Sequence, residues 1–379
     1  MTTRSDPIRL ATRGSDLALA QAESVKRALS GRRREVELVT VETTGDRIDD
    51  ELIHRLGKTG AFVHSLDEKV LAGDVEGAIH SMKDMPTEES QLVVAAVPER
   101  ATAGDRLVTP DGKPLAELPE GATVGTGSLR RGAQLLAQRP DLTVEPLRGN
   151  VDTRVEKLLS KSLNEEYDRR VAADEQRKAN TDDDFEPEFD RRPEEWIEGL
   201  SERERQAFER SESFDAIVLA AAGLERSGLD REIPTSDLPT ESFVPAAGQG
   251  ALAVTMADGD LAREVNEALD HPRSRVETTV ERTVLATLGG GCVAPIGIHA
   301  VIQGEHVRTR VQVLARGGEP TISVTRDLPV KRHAEAAREL AEELADRGAS
   351  ELIEEAKREA TEEEIDTERT DGEETGDGK

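Results

Sequence analysis

The sequence predicts an α/β protein with two layered domains on largely parallel sheets, followed by a smaller α+β domain. Three observations predict this. At 379 residues the chain is too long for one small domain. Short β-branched runs alternate with segments of helical periodicity through most of its length. A Gly-Gly-Gly-Cys break at 289–292 then separates a helix with an apolar stripe from a run that reads as a hairpin.

The elements follow in order. Ile8 to Thr12 reads as a strand entering the Arg13-Gly14-Ser15 turn, and Ser15 or Asp16 caps a helix over Leu17 to Leu29. Glu35 to Val41 alternates as a strand, and the polar, Gly-punctuated Glu42 to Gly60 reads as a loop. Val63 to Leu71 has helical spacing, and Val75 to Ile79 and Leu92 to Val97 read as strands. A second such run begins near Arg106: strand at Thr123 to Gly125, helix from Leu129 to Gln138, strand at Thr143 to Glu145. Asn150 or Asp152 opens a helix to Leu159, and Ala216 to Ala220 is a strand of small and branched residues. The Gly/Pro segment Phe243 to Ala251 reads as a recrossing between domains. Pro272 to Leu288 is a helix, Val301 to Leu314 a hairpin, and Lys331 to Asp346 a final amphipathic helix.

Two stretches depart from this rhythm. Residues 161–212 are dense in charge, lack apolar periodicity over much of their length, and hold the only Tyr (Tyr167) and only Trp (Trp196). They read as an exposed acidic insertion, partly helical and partly disordered. The segment 351–379 ends in Gly, Glu and Asp and reads as a disordered acidic tail. The expected domains are therefore 1–99 with 246–270, 100–245 carrying the insertion, and 271–350.

The formal net charge is -28, from 78 acidic against 50 basic side chains. Such a surface repels nucleic acid and anionic membranes, and it suits a cytoplasm of high salt, where the charge is screened. No run of about 18 apolar residues is present to span a bilayer. Met1 to Pro7 is polar and reads as no export signal, so a cytoplasmic, monomeric protein is expected. The lone cysteine, Cys292, allows no intrachain disulfide and no multi-cysteine metal site, and no metal is expected.

Against that acidity, five arginines stand out. Arg13 and Arg148 follow strands, and Arg130, Arg131 and Arg154 sit near helix starts. Ligand clefts form at these carboxyl ends of strands, and the guanidinium fork suits carboxylates, so the cluster implies a polyanionic ligand. Thr126-Gly127-Ser128 precedes a helix whose free N–H groups favour an anion, although Ser128 also serves as a plain N-cap. His80-Ser81-Met82-Lys83-Asp84 sets a cation beside a carboxylate at a strand end, where Asp84 is placed for proton transfer or for steadying a cation. Three glycines before Cys292 leave room for a bulky group to approach the sulfur. No histidine follows as a base, which argues against a hydrolytic Cys–His pair.

Taken together, Ala11 to Ser15, His80 to Asp84, Val124 to Arg131, Leu147 to Arg154, Ala247 to Ala251 and Gly290-Gly291-Cys292 resemble, in order and spacing, the hydroxymethylbilane synthase (porphobilinogen deaminase) family. The resemblance spans roughly residues 8 to 315 apart from the insertion. It implies two type II periplasmic-binding-protein-like domains joined by a hinge, and a third domain with the cysteine loop. It implies a dipyrromethane cofactor in thioether linkage to Cys292, with porphobilinogen as the small-molecule substrate. Four units are joined head to tail with loss of ammonia. The match places Arg13, Lys83, Arg130, Arg131, Arg148 and Arg154 at cofactor- and substrate-binding positions. Ser15, Gln21, Thr126, Ser128 and Gln249 add hydrogen bonds. Asp84 matches the carboxylate that assists ammonia loss and steadies the cationic azafulvene. Arg55, Lys58 and Phe62 fall in the family's lid segment. Here that segment reads Gly57-Lys58-Thr59-Gly60, with Thr59 at the usual lysine position, and Gly127 replaces a common serine. A non-catalytic anion-binding protein and a thiol-dependent transferase remain the competing readings. The first leaves Lys83, Asp84 and Cys292 unexplained, and the second requires a free reactive thiol.

Overall fold

The structure, a computed structural model, describes residues 7–31, 35–41, 61–88, 90–179, 187–291 and 294–359, with Ala61 and Phe62 described by backbone alone. In chain order the first unit runs β1 (Ile8–Arg13), α1 (Asp16–Leu29), β2 (Val36–Val41), α2 (Ala61–Leu71), β3 (Gly77–Ser81) and β4 (Val93–Ala96). The second runs β5 (Asp105–Val108), β6 (Thr123–Thr126), α3 (Leu129–Gln138), β7 (Thr143–Pro146), α4 (Val151–Ala179), α5 (Pro193–Glu198), α6 (Glu202–Phe208), β8 (Ala216–Ala220), α7 (Ala221–Ser227) and β9 (Thr235–Leu238). The chain then returns through β10 (Leu252–Met256) and α8 (Asp260–Leu269). It closes with α9 (Pro272–Thr287), β11 (Ile296–Gln303), β12 (His306–Leu314), β13 (Thr321–Pro329) and α10 (His333–Leu344).

The two larger sheets share one plan. The first has the order β2-β1-β3-β10-β4, and the second β7-β6-β8-β5-β9. In each, one strand is antiparallel to both neighbours: β10 against β3 and β4, and β5 against β8 and β9. Each of these is the first strand after the chain crosses from one unit to the other. A sheet completed by such a crossing strand is the type II periplasmic-binding-protein arrangement. It ties each unit's sheet to the hinge. All five residues of β10 are buried, as expected of a strand covered on both faces. The third sheet is the antiparallel meander β11-β12-β13, backed by α9 and α10.

The two crossings touch. Ala101 N–H donates to Gly250 O at 3.2 Å. Gly250 has φ +83, and a Cβ there would lie 2.6 Å from Ala101 O. Only glycine therefore lets the two segments lie this close.

Two sequence expectations need correction, the helix end at Leu159 and the tail from 351, and two further features add to what was expected. The helix expected to end at Leu159 continues as α4 to Ala179. Its second half lacks an apolar stripe, and it is held instead by pairs one turn apart, Glu166 with Arg170 and Asp174 with Lys178. It also packs on α6, where Asn164 and Ser160 donate to Arg210 O. The stretch expected to be partly disordered holds a small core in which Tyr167, Trp196 and Phe208 lie 5.2–6.5 Å apart between ring centres. Its residues 180–186 lie outside the described residues. The tail expected to begin at 351 is helical to residue 359, and Leu352, Ile353 and Ala356 are buried in the third unit's core. Residues 360–379 lie outside the described residues. Finally, β13, which extends the expected hairpin into a three-stranded sheet, was not anticipated.

Candidate active site

The cleft forms where the carboxyl ends of the two sheets face each other. Arg13 closes β1, and Ser15 caps α1 by accepting from Ala18 N–H at 3.4 Å. β3 runs into a single 3₁₀ turn, Met82–Asp84, that carries Lys83 and Asp84. From the second unit come Arg131 in the first turn of α3, Arg154 in the first turn of α4, and Arg226 on α7. Gln21 and Gln249 complete the polar lining.

The charge balance of this lining inverts that of the chain. Among the described residues, five basic side chains, Arg13, Lys83, Arg131, Arg154 and Arg226, face one carboxylate, Asp84. Asp84 attracts the Lys83 ammonium, but burial and the repulsion of Arg131 and Arg154 outweigh that attraction and lower the Lys83 pKa. Burial, then Arg131, pushes Arg154 down to about 10 against the pull of Asp84. Arg154, at about 10, stays charged near neutrality. Cations crowded this closely repel one another, and a ligand bearing several carboxylates relieves the repulsion.

Behind the cleft lies a buried network that joins the second unit to the crossing. Asp105 accepts from Arg130 Nη1 at 2.8 Å, Arg131 Nε at 2.9 Å and Gln249 Nε2 at 2.9 Å. Burial alone would raise its carboxyl, yet the two guanidiniums hold it well below the usual carboxylate range. Two cations on one carboxylate leave a net positive charge, and Arg131 presents it to the cleft. Arg130 is also anchored by Val244 O at 3.0 Å and Gln134 Oε1 at 2.8 Å, and burial lowers its pKa.

The structure thus brings together Arg13, Ser15, Gln21, Lys83, Asp84, Arg131, Arg154 and Gln249 in one lining. It places Arg130 elsewhere: its hydrogen bonds go to the hinge network, and it does not line the cleft. Thr126 and Ser128 form the β6–α3 turn, where Ser128 N–H donates to Thr126 Oγ1 at 3.2 Å and Ser128 Oγ caps α3. Arg148 is half-buried after β7, also outside the lining. Gly127 sits 2.8 Å, at its would-be Cβ, from Leu147 O, so a side chain here would crowd that carbonyl. Phe62 is the second residue of α2, and its side chain, like Arg55, Lys58 and Cys292, lies outside what is described.

Two residues that matter were not found from sequence. Arg226 lines the cleft and donates to Gly250 O at 2.9 Å; its signal was its place on the short helix that directly follows the small-residue strand Ala216–Ala220. Asp105 gave no signal beyond its position beside Arg106. Among the described residues, no group of three or more His, Cys, Asp or Glu is placed to hold a metal, and no helix is long and apolar enough to cross a membrane.

A hinged, two-unit cleft lined by guanidiniums around a single carboxylate defines a protein that works on a small polyanion. The chain belongs to the porphobilinogen deaminase family. The family model for the dipyrromethane cofactor binding domain of porphobilinogen deaminase matches residues 8–174 and 199–264, and that for the C-terminal domain matches 276–346. The unmatched part, 175–198, is narrower than the insertion read from the sequence. A probable porphobilinogen deaminase of Halobacterium salinarum is 49% identical over 94% of this chain and 100% of its own length. One of Methanococcoides burtonii is 37% identical, covering 92% and 96%, and the porphobilinogen deaminase of Rubrobacter xylanophilus 38%, covering 91% and 95%. Among solved structures, the periplasmic ectoine-binding protein of Halomonas elongata covers 94% of this chain at 12% identity and a TM-score of 0.31. The two strand orders, not this likeness, define the architecture. Family membership gives the chain the family's activity, hydroxymethylbilane synthesis, a transferase step of tetrapyrrole biosynthesis.

The donor set of the cleft fits the family's dipyrromethane. That group carries acetate and propionate side chains, and the lining offers guanidiniums and an ammonium with one competing carboxylate.

Proposed function

We propose that Asp84 is the catalytic carboxylate and that Arg13, Lys83, Arg131, Arg154 and Arg226 hold the acetates and propionates of dipyrromethane and substrate, with Ser15 and Gln21 adding hydrogen bonds. The observation that carries this reading is that, among the described residues, one carboxylate stands with five basic side chains at the junction of the two units. When bound, the dipyrromethane supplies the pyrrole carbon to which the first porphobilinogen is joined. In this reading Asp84 passes a proton to the departing amine and takes one from the attacked pyrrole. Its negative charge opposes the positive charge that develops on a substrate losing ammonia. The surrounding cations fix the substrate's carboxylates, so the aminomethyl end is held at Asp84 rather than turned away from it. Arg130 acts here as a support for Arg131 rather than as a ligand. The units 1–99 with 246–270 and 100–245 close on the substrate about the crossing at Gly250, and the unit 271–350 presents the cofactor.

We further propose that the cofactor is attached to Cys292 through a thioether. The lone thiol, its glycine neighbours and the match of the segment to the family support this. The denatured intact mass of the protein purified in high salt, beside Cys292→Ser, tests it. The expected result is an added mass of two linked pyrrole units that is absent from the variant. An unmodified chain that stays unmodified after incubation with porphobilinogen would overturn the attachment.

The net charge of -28 supports a monomeric enzyme working in a cytoplasm of high salt. Thermal midpoint and activity are expected to rise together as KCl increases from dilute buffer to molar concentrations, with sedimentation as a monomer throughout. Maximal stability in dilute buffer would sink the salt-adapted reading.

A further inference from the structure

Helix α9 leads toward the cysteine loop, and two adjacent residues on it grip the parts of the molecule that do the chemistry. Glu281, fully buried, accepts from Arg100 Nη1 at 2.8 Å and Nη2 at 3.0 Å, from Gly248 N–H at 2.7 Å and from Ala300 N–H at 2.8 Å. It thereby binds both crossing segments and β11 at one carboxylate. The next residue, Arg282, reaches into the first unit. Its guanidinium donates to Met85 O at 3.1 Å and Pro86 O at 2.6 Å, with a longer approach to Met82 O at 3.5 Å. These three carbonyls belong to the turn that carries Lys83 and Asp84.

The chemistry of this contact is specific. A 3₁₀ turn of three residues leaves its last carbonyls without partners inside the turn, and Pro86 has no N–H with which to continue a ladder. One planar guanidinium meets several of these acceptors at once, whereas an ammonium has no such fork. Among the described residues the hydrogen-bond partners of Arg282 are main-chain carbonyls alone, so its charge is not spent on a carboxylate. Burial pushes its pKa down from the ordinary arginine value, and the group remains a cation at neutral pH.

We propose that Arg282 is a positioning residue: from the cysteine-bearing unit it fixes the Met82–Pro86 turn, and so holds Asp84 in register with the group that unit presents. The proposal rests on the catalytic reading of Asp84. A turn released by even about an ångström would lose its aim, and such a misplacement costs on the order of 10²-fold in rate.

The test compares the wild-type holoenzyme with Arg282→Gln, Arg282→Lys and Asp84→Asn, reading kcat and KM for porphobilinogen, intact mass and thermal midpoint. The expected result for Arg282→Gln is a kcat lower by about 10- to 100-fold with KM near the wild-type value and the cofactor mass present. Arg282→Lys, which keeps the charge and reaches one or two of the carbonyls, is expected to recover part of kcat. Wild-type kcat in Arg282→Gln, with Asp84→Asn inactive, overturns the positioning role and leaves the catalytic reading standing. Full turnover in Asp84→Asn removes the catalytic reading and the proposal with it. A fall in kcat that merely follows loss of folded or cofactor-loaded protein, with Arg282→Lys no better than Arg282→Gln, also overturns the proposal, since it marks a purely structural contact.

Discussion

Replacing Asp84 with asparagine is expected to lower turnover by about 10²- to 10⁴-fold while leaving the protein folded and able to take up porphobilinogen. The site itself sets that split. Asp84 is exposed on its 3₁₀ turn, so what its replacement removes is chiefly the attraction for the Lys83 ammonium, and stability should fall by no more than about 1 kcal/mol. The cations that hold the substrate's carboxylates are all retained, so KM is expected near its wild-type value. What is lost is the only carboxylate that the described residues give the lining, and with it both the proton carrier and the charge facing a developing cation. A second signature follows from the neighbours. Asp84 exerts the largest pull on the Lys83 ammonium, against burial, Arg131 and Arg154. Without that pull, Lys83 should titrate lower still in the variant. Steady-state kinetics, a thermal melt and the titration of Lys83 check these points together. Turnover at the wild-type rate would end the catalytic assignment.

Much of this site was legible because its residues sit where local rules act. Arg13, Lys83 and Asp84 follow strands in short turns that the sequence marks with Gly, Ser or Pro, and Arg131 follows the Ser128 cap. The helix Leu129–Gln138 and the strand Ala216–Ala220 were read with the bounds the structure has, since each is framed by turn residues and carries one clear pattern. Where partners come from far away in sequence, the reading failed. Asp105 meets Arg130, Arg131 and Gln249 across separations of 25, 26 and 144 residues, and no local pattern announces such a meeting. Arg130, read from the sequence as a ligand position, likewise spends its hydrogen bonds on Asp105, Gln134, Val244 O and Gln249. The far half of α4 was missed for another reason. Its helix is supported by charged pairs and by α6, so the apolar stripe that sequence reading depends on is absent there.

The hinge network and the cleft share one device. A cleft for a polyanion must keep guanidiniums close together when no ligand is bound, and that arrangement is unfavourable by simple Coulomb repulsion. Asp105 resolves part of this from behind: it binds Arg130 and Arg131 and, through Gln249, the crossing segment. It neutralises one charge and leaves one to face the substrate. Thr102 and Arg106, nearby on the same segment, engage Glu225 on α7, beside Arg226. Arg131 and Arg226, two of the second unit's cleft cations, are thus held by segments that connect the two units.

Asp105→Ala should therefore be the most destabilising single change in the molecule. It strands two guanidiniums, each about 95% buried, and removes an acceptor of Gln249. Breaking a buried pair by deleting one partner costs about 3–5 kcal/mol, a large share of the roughly 5–15 kcal/mol that holds a domain folded. Salt should not rescue it. Exposed pairs such as Arg332 with Glu335 are screened at high ionic strength, whereas a fully buried cluster is not. The pH dependence gives a separate check. The folded carboxyl of Asp105 is held below its unfolded value of about 3.9. Its contribution is complete above that value, and it is lost only as pH falls from there toward the depressed folded value. The gap in unfolding free energy between wild type and Asp105→Ala should consequently be widest at neutral pH and narrow as pH drops below about 4. Urea unfolding in molar salt at pH 7 and at pH 3 measures both. Equal midpoints at pH 7 would mean that Arg130 and Arg131 find other partners at no cost, and the support of the cation array would have to lie elsewhere.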